Sequence, residues 1–284
     1  MRSLDALLVF SGLALAQQPN LKDMLQKPIV YSVPGMDQSK VTKDIHYRTE
    51  GGPALVMDVY QPAHLTGQQR YPAVLFVHGG ARIEGVSLPA GMPLPKDWGV
   101  FQSYGRLMAA SGLIGVTFNH RVADPEDGFH KGISDVEAAI DYLRSHAADL
   151  HVDRDRLALM VFSAGGPLLT AAMKDPQPYI RCLVSFYGVL DVRTASLKEE
   201  SPLHFLELNA AQLPPILIAR AGNDSAPLNA TIDQFVQQAL AKDIEIELMN
   251  LKGAPHAFDI LFDTSRSREA IARAVGFLQT HLNR

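Results

Sequence analysis

Apolar and polar residues alternate in two early stretches, "KVTKDIHYR" (40–48) and "ALVMDVYQP" (54–62). That period of two predicts half-exposed antiparallel strands. Farther on, "YPAVLFVHGG" (71–80) and "LIGVTFNHR" (113–121) are continuous apolar runs, as expected of central strands covered on both faces. Further strands are predicted at "RLALMVF", "IRCLVSFYG", "PPILIARAG" and "IEIELMNL". Helical stripes fall between and after them. In "ISDVEAAIDYLRSH" the residues Ile133, Val136, Ile140 and Leu143 share one face, with Asp135, Glu137, Asp141 and Arg144 elsewhere on the wheel. Ile232, Phe235, Val236, Ala239 and Leu240 make a second stripe, and Ile271, Ala274, Val275, Leu278 and Leu282 a third. Two antiparallel strands leading into repeated strand–helix units describe an α/β fold with a mostly parallel sheet and helices on both faces.

The stretch "LALMVFSAGGPLLTAAM" (157–173) sets Ser163 between a strand and a helix that starts near Ala164. A nucleophile elbow needs that placement, because a tight strained turn lifts the hydroxyl above the sheet and aims the next N–H at the reacting carbonyl. Small residues are wanted two positions to either side, where strand and helix nearly touch. Gly165 and Gly166 provide room on the far side, whereas Val161 stands where the usual pattern has glycine. Val161 takes packing space and removes no catalytic group. Taken alone, the stretch fits a nucleophile and an ordinary turn serine equally well.

Three other segments favour the nucleophile. "FVHGGAR" ends a strand in a turn whose backbone N–H groups can face a developing oxyanion, and the donors singled out are Gly80, Ala81 and Ala164. His78 reads as a structural residue bonded within its own loop. "LIARAGNDSAPLN" turns at Gly222, Asn223 and Asp224, placing a carboxylate at the sheet edge that carries Ser163; the alternative for Asp224 is a turn or helix-cap role. "LKGAPHAFDI" places His256 after the last strand, downstream of both other residues. His256 can take the serine proton while Asp224 fixes its tautomer. Asp191, after "YGVL", is the reserve candidate for the acid. His120 and His204 can line a pocket, and His46, His64, His146, His151 and His281 read as surface residues. Trp98 is either a pocket wall or a core anchor for the helix after it.

Composition narrows the class. With 284 residues, 47% of them hydrophobic and 20% charged, the chain suits one large domain. The net charge of −4 comes from interspersed acids and bases, which argues against a nucleic-acid partner or an anionic membrane. Cys182 is the single cysteine and reads as a core filler; no Cys/His spacing points to a metal, and no cofactor is called for. Residues 1–16 combine one Arg, an apolar run and a terminal "ALA", which predicts a cleaved signal peptide and export to a bacterial periplasm or beyond. The alternative is a cytoplasmic protein whose first helix packs on the domain. The run is too short to span a bilayer, so no membrane insertion is expected.

From about Val41 to the C-terminus the sequence resembles the α/β-hydrolase superfamily, in particular its bacterial esterase and dienelactone-hydrolase-like group. The resemblance rests on "HGGAR", "DWGVFQSYGRLMAASGLIGVTFNHR", "ISDVEAAIDYLR", "VFSAGGPLL", "AGNDSAPLN" and "HAFD". It implies an eight-stranded sheet with one antiparallel strand, an acyl-enzyme mechanism, and a division into residues 17–40 as an extension and 41–284 as the catalytic domain. Dienelactone hydrolases proper carry a cysteine nucleophile, so their lactone substrate is not carried over to Ser163. The segment between Gly188 and Pro215 has room for one helix near His204 to Asn209, hence a small cap or none. The function expected is hydrolysis of a short-to-medium soluble ester, a small-molecule partner. A prolyl-oligopeptidase-type peptidase and a non-catalytic binding module are the alternatives, and oligomeric state is not legible.

Overall fold

The computed structural model describes residues 21–49, 55–65, 67–80, 93–121 and 128–284. Its strands in chain order are β1 (Lys40–His46), β2 (Val56–Gln61), β3 (Tyr71–Val77), β4 (Ile114–Phe118), β5 (Val152–Phe162), β6 (Ile180–Phe186), β7 (Ile216–Ala221) and β8 (Ile246–Leu251). They form one eight-stranded sheet in the order β1-β2-β4-β3-β5-β6-β7-β8. β2 runs antiparallel to both its neighbours and every other pairing is parallel, so one strand opposes seven. The helices are α1 (Leu21–Leu25), α2 (Gly99–Ala110), α3 (His130–Ser145), α4 (Thr170–Met173), α5 (Pro202–Asn209), α6 (Ala226–Ala241), α7 (Phe258–Leu261) and α8 (Ser265–Leu282).

Side chains alternate across the sheet and feed two cores. Leu157, Leu159 and Val161 of β5 face the layer holding α3, α5 and α6, while Ala158, Met160 and Phe162 face α2 and α8. The expected stripe of α3 is buried throughout: Ile133, Val136, Ile140 and Leu143 all lie in the first core. Each such side chain contributes roughly 1.5–3 kcal/mol of hydrophobic stabilisation when fully buried. Ile271, Ala274, Leu278 and Leu282 do the same for α8 in the second.

The fold departs from the sequence reading in four places. β1 is an exposed edge strand, as alternation predicts, but β2 is buried along its whole length. Its polar residue Asp58 is paired at 3.0 Å with the buried Lys96, which also meets Asp44 and Asp97. Burial opposes the Lys96 charge, but these carboxylates outweigh it and lift its pKa above the ordinary value. Leu240, assigned to the apolar stripe of α6, is 66% exposed, because Ile232, Phe235 and Ala239 already fill the contact with the sheet. His281 is buried against Phe277, with ring centroids 4.4 Å apart, where a surface residue was expected. The turn after β5 continues as a 3-10 helix over Ser163–Leu169 with Pro167 inside it, and α-helical bonding begins only at Thr170. Proline lacks the N–H that an α-helix would use there.

The segment between β6 and β7 forms a 3-10 turn (Ala195–Glu200), α5 and a second 3-10 turn (Ala210–Gln212). Leu203, Phe205 and Leu206 of α5 join the first core with Ile232 and Phe235, so α5 belongs to the layer flanking the sheet. Residues 1–16, read as a signal peptide, lie outside the described residues. Ile29 is buried in the second core, and the Val30 N–H donates to the Asp259 carbonyl at 2.8 Å, which ties the chain before β1 to α7.

Candidate active site

β5 delivers Ser163 to the carboxyl end of the sheet, between β3 and β6. Ser163 has φ 53°, a left-handed conformation that costs a non-glycine residue about 1–3 kcal/mol and accumulates at functional turns. Close packing holds it there. A Cβ on Gly165 would lie 2.6 Å from the His78 carbonyl oxygen and 2.7 Å from that of Val77, so only glycine lets the new helix rest on the end of β3. The Val189 N–H, just past β6, donates to the Ser163 carbonyl at 2.9 Å. Val161, at the position where the usual pattern has glycine, is fully buried and packs within the first core. Its side chain lies among apolar neighbours, on the sheet face opposite Met160 and Phe162.

The loops after β7 and β8 are laced together. The Gly222 N–H donates to Leu251 O and the Asn223 N–H to Ala254 O, both at 2.9 Å. They thereby carry Asp224 and His256 side by side. His256 Nδ1 lies 2.5 Å from Asp224 Oδ2, and His256 Nε2 lies 2.9 Å from Ser163 Oγ. The Asp224 side chain is 1% exposed and its other oxygen accepts the Ser225 N–H at 2.7 Å, which fixes the carboxylate plane. The imidazole is 28% exposed. With Nδ1–H donated to the carboxylate, Nε2 is left as an acceptor for the serine proton. Asp191, the reserve acid, accepts from Ser201 Oγ at 3.0 Å and pairs with Arg193, so it belongs to a different cluster.

Of the three expected oxyanion donors, Gly80 and Ala164 are described and Ala81 lies outside the described residues. Ala164 is the second residue of the 3-10 helix, where a backbone N–H has no partner within the helix. The adjacent Gly79 packs directly against Ser163 and Ala164, bringing the Gly80 loop to the elbow. Beneath that loop His78 stacks on His120, centroids 3.7 Å apart. The His120 N–H points at His78 Nε2, at 3.5 Å, so His78 Nδ1 carries the proton, toward Gly79 O at 3.3 Å. Burial pushes the pKa of His78 well below its ordinary value and that of His120 down to about 4, so both are neutral supports. Trp98 packs on Phe101 and His78 and donates its indole N–H to Pro93 O at 3.0 Å. It anchors the start of α2, and among the described residues its link toward the site is the ring contact with His78.

His204 lines a groove of about 440 Å³ with Asp191, Arg193, Lys198, Glu207 and Gln234. Neither Ser163 nor His256 borders that groove, so the structure does not bring His204 to the serine. Tyr187 was not singled out in the sequence and proves to be part of the site. Its ring lies 4.7 Å from the imidazole of His256, and its hydroxyl donates to the buried Asp259 at 2.7 Å. The signal lay in "HAFD", where an acid follows the histidine by three residues. Among the described residues no group of three or more His, Cys, Asp or Glu side chains is arranged to hold a metal ion, and no helix is long and apolar enough to cross a membrane.

Over 269 residues the chain is 26% identical to esterase LipC of Mycobacterium tuberculosis, a match that takes in 82% of this chain and 64% of that protein. Over 128 residues it is 32% identical to a probable 2-oxo-3-(5-oxofuran-2-ylidene)propanoate lactonase of a Bradyrhizobium species, covering 45% of this chain and 49% of that one. The chain therefore spans less than two thirds of the length of either relative. Among solved structures, the propionate-bound Est2 esterase of Thermogutta terrifontis superposes with a TM-score of 0.65 at 22% identity, over 87% of this chain and 96% of that one. That likeness shows a shared α/β-hydrolase fold. The model of the BD-FAE family matches residues 57–204, more than half of the chain and the stretch that runs from β2 through the elbow into α5. The chain belongs to the BD-FAE family of α/β-hydrolase-like esterases.

Proposed function

We propose that this chain is a carboxylic-ester hydrolase that works through an acyl-enzyme on Ser163. The observation that carries the reading is the unbroken hydrogen-bonded chain from Asp224 through His256 to Ser163 Oγ, at 2.5 and 2.9 Å. Ser163 Oγ attacks the ester carbonyl while His256 Nε2 takes its proton, and Asp224 stabilises the imidazolium. The tetrahedral oxyanion is met by the N–H groups of Gly80, Ala81 and Ala164. Collapse expels the alcohol, protonated by His256. Water then attacks the acyl-enzyme with His256 again as base, releasing the acid and restoring Ser163. No step draws on a cofactor.

The substrate proposed is a short-to-medium soluble ester, a small molecule. In support, the segment between β6 and β7 is spent on α5, which packs into the layer beside the sheet. Curated relatives named as esterases, and solved Est2 structures with propionate or butyrate bound, agree with a small acyl group. Export through cleavage near residue 16 is part of the same proposal, tested by N-terminal sequencing of the protein recovered from a bacterial host. The activity is tested with p-nitrophenyl esters from acetate to laurate, on the parent and Ser163→Ala. Turnover of the shorter esters, lost in the variant by at least about 10⁴ in kcat, is expected. A folded parent that hydrolyses none of them contradicts the reading.

A further inference from the structure

Behind the imidazole lies a second carboxylate. Asp259 is fully buried on α7, three residues after His256, with Ala257 at φ 54° turning the chain between them. Both carboxylate oxygens accept phenols: Oδ1 from Tyr187 at 2.7 Å and Oδ2 from Tyr104 at 2.9 Å. Two donors on two oxygens suit the ionised form, since a protonated acid would leave its own O–H without an acceptor unless one phenol turned to receive it. Tyr104 comes from α2 and Tyr187 from the end of β6. Tyr187 itself has φ 42°, so its ring is held under His256 by a strained backbone and by this one side-chain bond.

We propose that Asp259 is a positioning residue for His256: through Tyr187 it holds the imidazole in the orientation that meets Ser163, and its negative charge favours the imidazolium formed when the serine proton is taken. The proposal rests on Ser163 and His256 being nucleophile and base. A charge of this kind acts through a low-dielectric interior, where screening is weak. The titratable groups facing Asp259 are Tyr187, Tyr104 and His256; Asp224 acts on the same cluster from beyond the imidazole. α8 packs on α7 with apolar residues such as Ala270 and Ile271, and the chain before β1 contributes the Val30 N–H to the Asp259 carbonyl. Burial raises the Asp259 pKa, and the two phenols and His256 oppose that rise.

The test uses the full chain with Asp259→Asn, and Tyr187→Phe, which keeps the ring against the imidazole and removes the bond. Two readings are taken: the pH dependence of kcat/KM, and titration of the His256 imidazole by NMR, which needs no turnover. With the charge removed the imidazolium loses a favourable partner, so the acid limb of kcat/KM and the NMR readout both move to lower pH by about half a unit or more. kcat falls about 10-fold with KM little changed. A variant that loses thermal stability while kcat and the titration stay at parental values overturns the proposal and leaves Asp259 a structural residue. If Asp259→Asn does not fold, Tyr187→Phe decides by the same readings. A parent without ester turnover defeats the proposed function instead, and the NMR titration still reads the Asp259–His256 coupling.

Discussion

A Cβ placed on Gly79 would stand 2.7 Å from Ser163 Cβ and 2.8 Å from the Ala164 nitrogen. The loop after β3 and the elbow after β5 therefore meet with no side chain between them. That contact sets the distance between the hydroxyl and the backbone donors expected to receive the oxyanion.

Gly79→Ala is expected to push loop and elbow apart while both cores stay intact. Losing the alignment of a single donor costs about 10²–10³ in kcat. Ester turnover should fall by about that factor with the circular-dichroism spectrum unchanged. Parental turnover in the alanine variant would show that the loop gives way freely and that the contact does not set the donor geometry.

Asp224 and Asp191 are separated by what they touch. Asp224→Asn should lower kcat by about 10⁴, because an amide facing Nδ1 favours the wrong imidazole tautomer. Asp191→Asn, which loosens the Ser201 and Arg193 contacts, should leave kcat within about twofold of the parent. Equal losses in both variants would mean that the acid has been misassigned.

Val161→Gly restores the usual elbow pattern and should gain nothing. Val161 is fully buried, so its removal leaves a cavity and a flexible strand residue, a cost of about 3 kcal/mol in unfolding experiments. A variant as stable as the parent and faster on esters would show that the valine hinders the turn.

The two stacked histidines make stability depend on pH. His120 has a folded pKa of about 4, below its unfolded value near 6.5, so as pH falls the unfolded chain takes up the proton first. Stability is full above about pH 6.5 and is lost progressively down to about pH 4, by about 3 kcal/mol in all. His78 is displaced in the same direction. His120→Phe, which keeps the stack, should flatten the fall in urea midpoint between pH 7 and pH 4.5. An unchanged slope would mean that other groups govern the acid limb of stability.

Much of this was legible in the chain because two periodicities carry it. Runs such as "YPAVLFVHGG" read as central strands, and Ser163, Asp224 and His256 each fall in a loop after a strand. The less legible parts depended on partners distant in sequence. Alternation in β2 suggested a half-exposed strand, since nothing near Asp58 announces that Lys96 will bury with it. His281 looked exposed at the end of α8, but Phe277 covers it one helical turn back. Tyr187 and Asp259 lie 72 residues apart and meet only in the folded chain. The elbow's missing glycine has a similar explanation: the contact with β3 is made by Gly165, and Val161 belongs to the core.

The central claim is that Ser163 is a nucleophile. The most direct measurement is mass spectrometry of the intact and digested protein after exposure to a fluorophosphonate. A single adduct on Ser163 is predicted, absent from Ser163→Ala and greatly slowed in His256→Ala. A folded parent that stays unmodified, or that carries its adduct on another serine, would contradict the account.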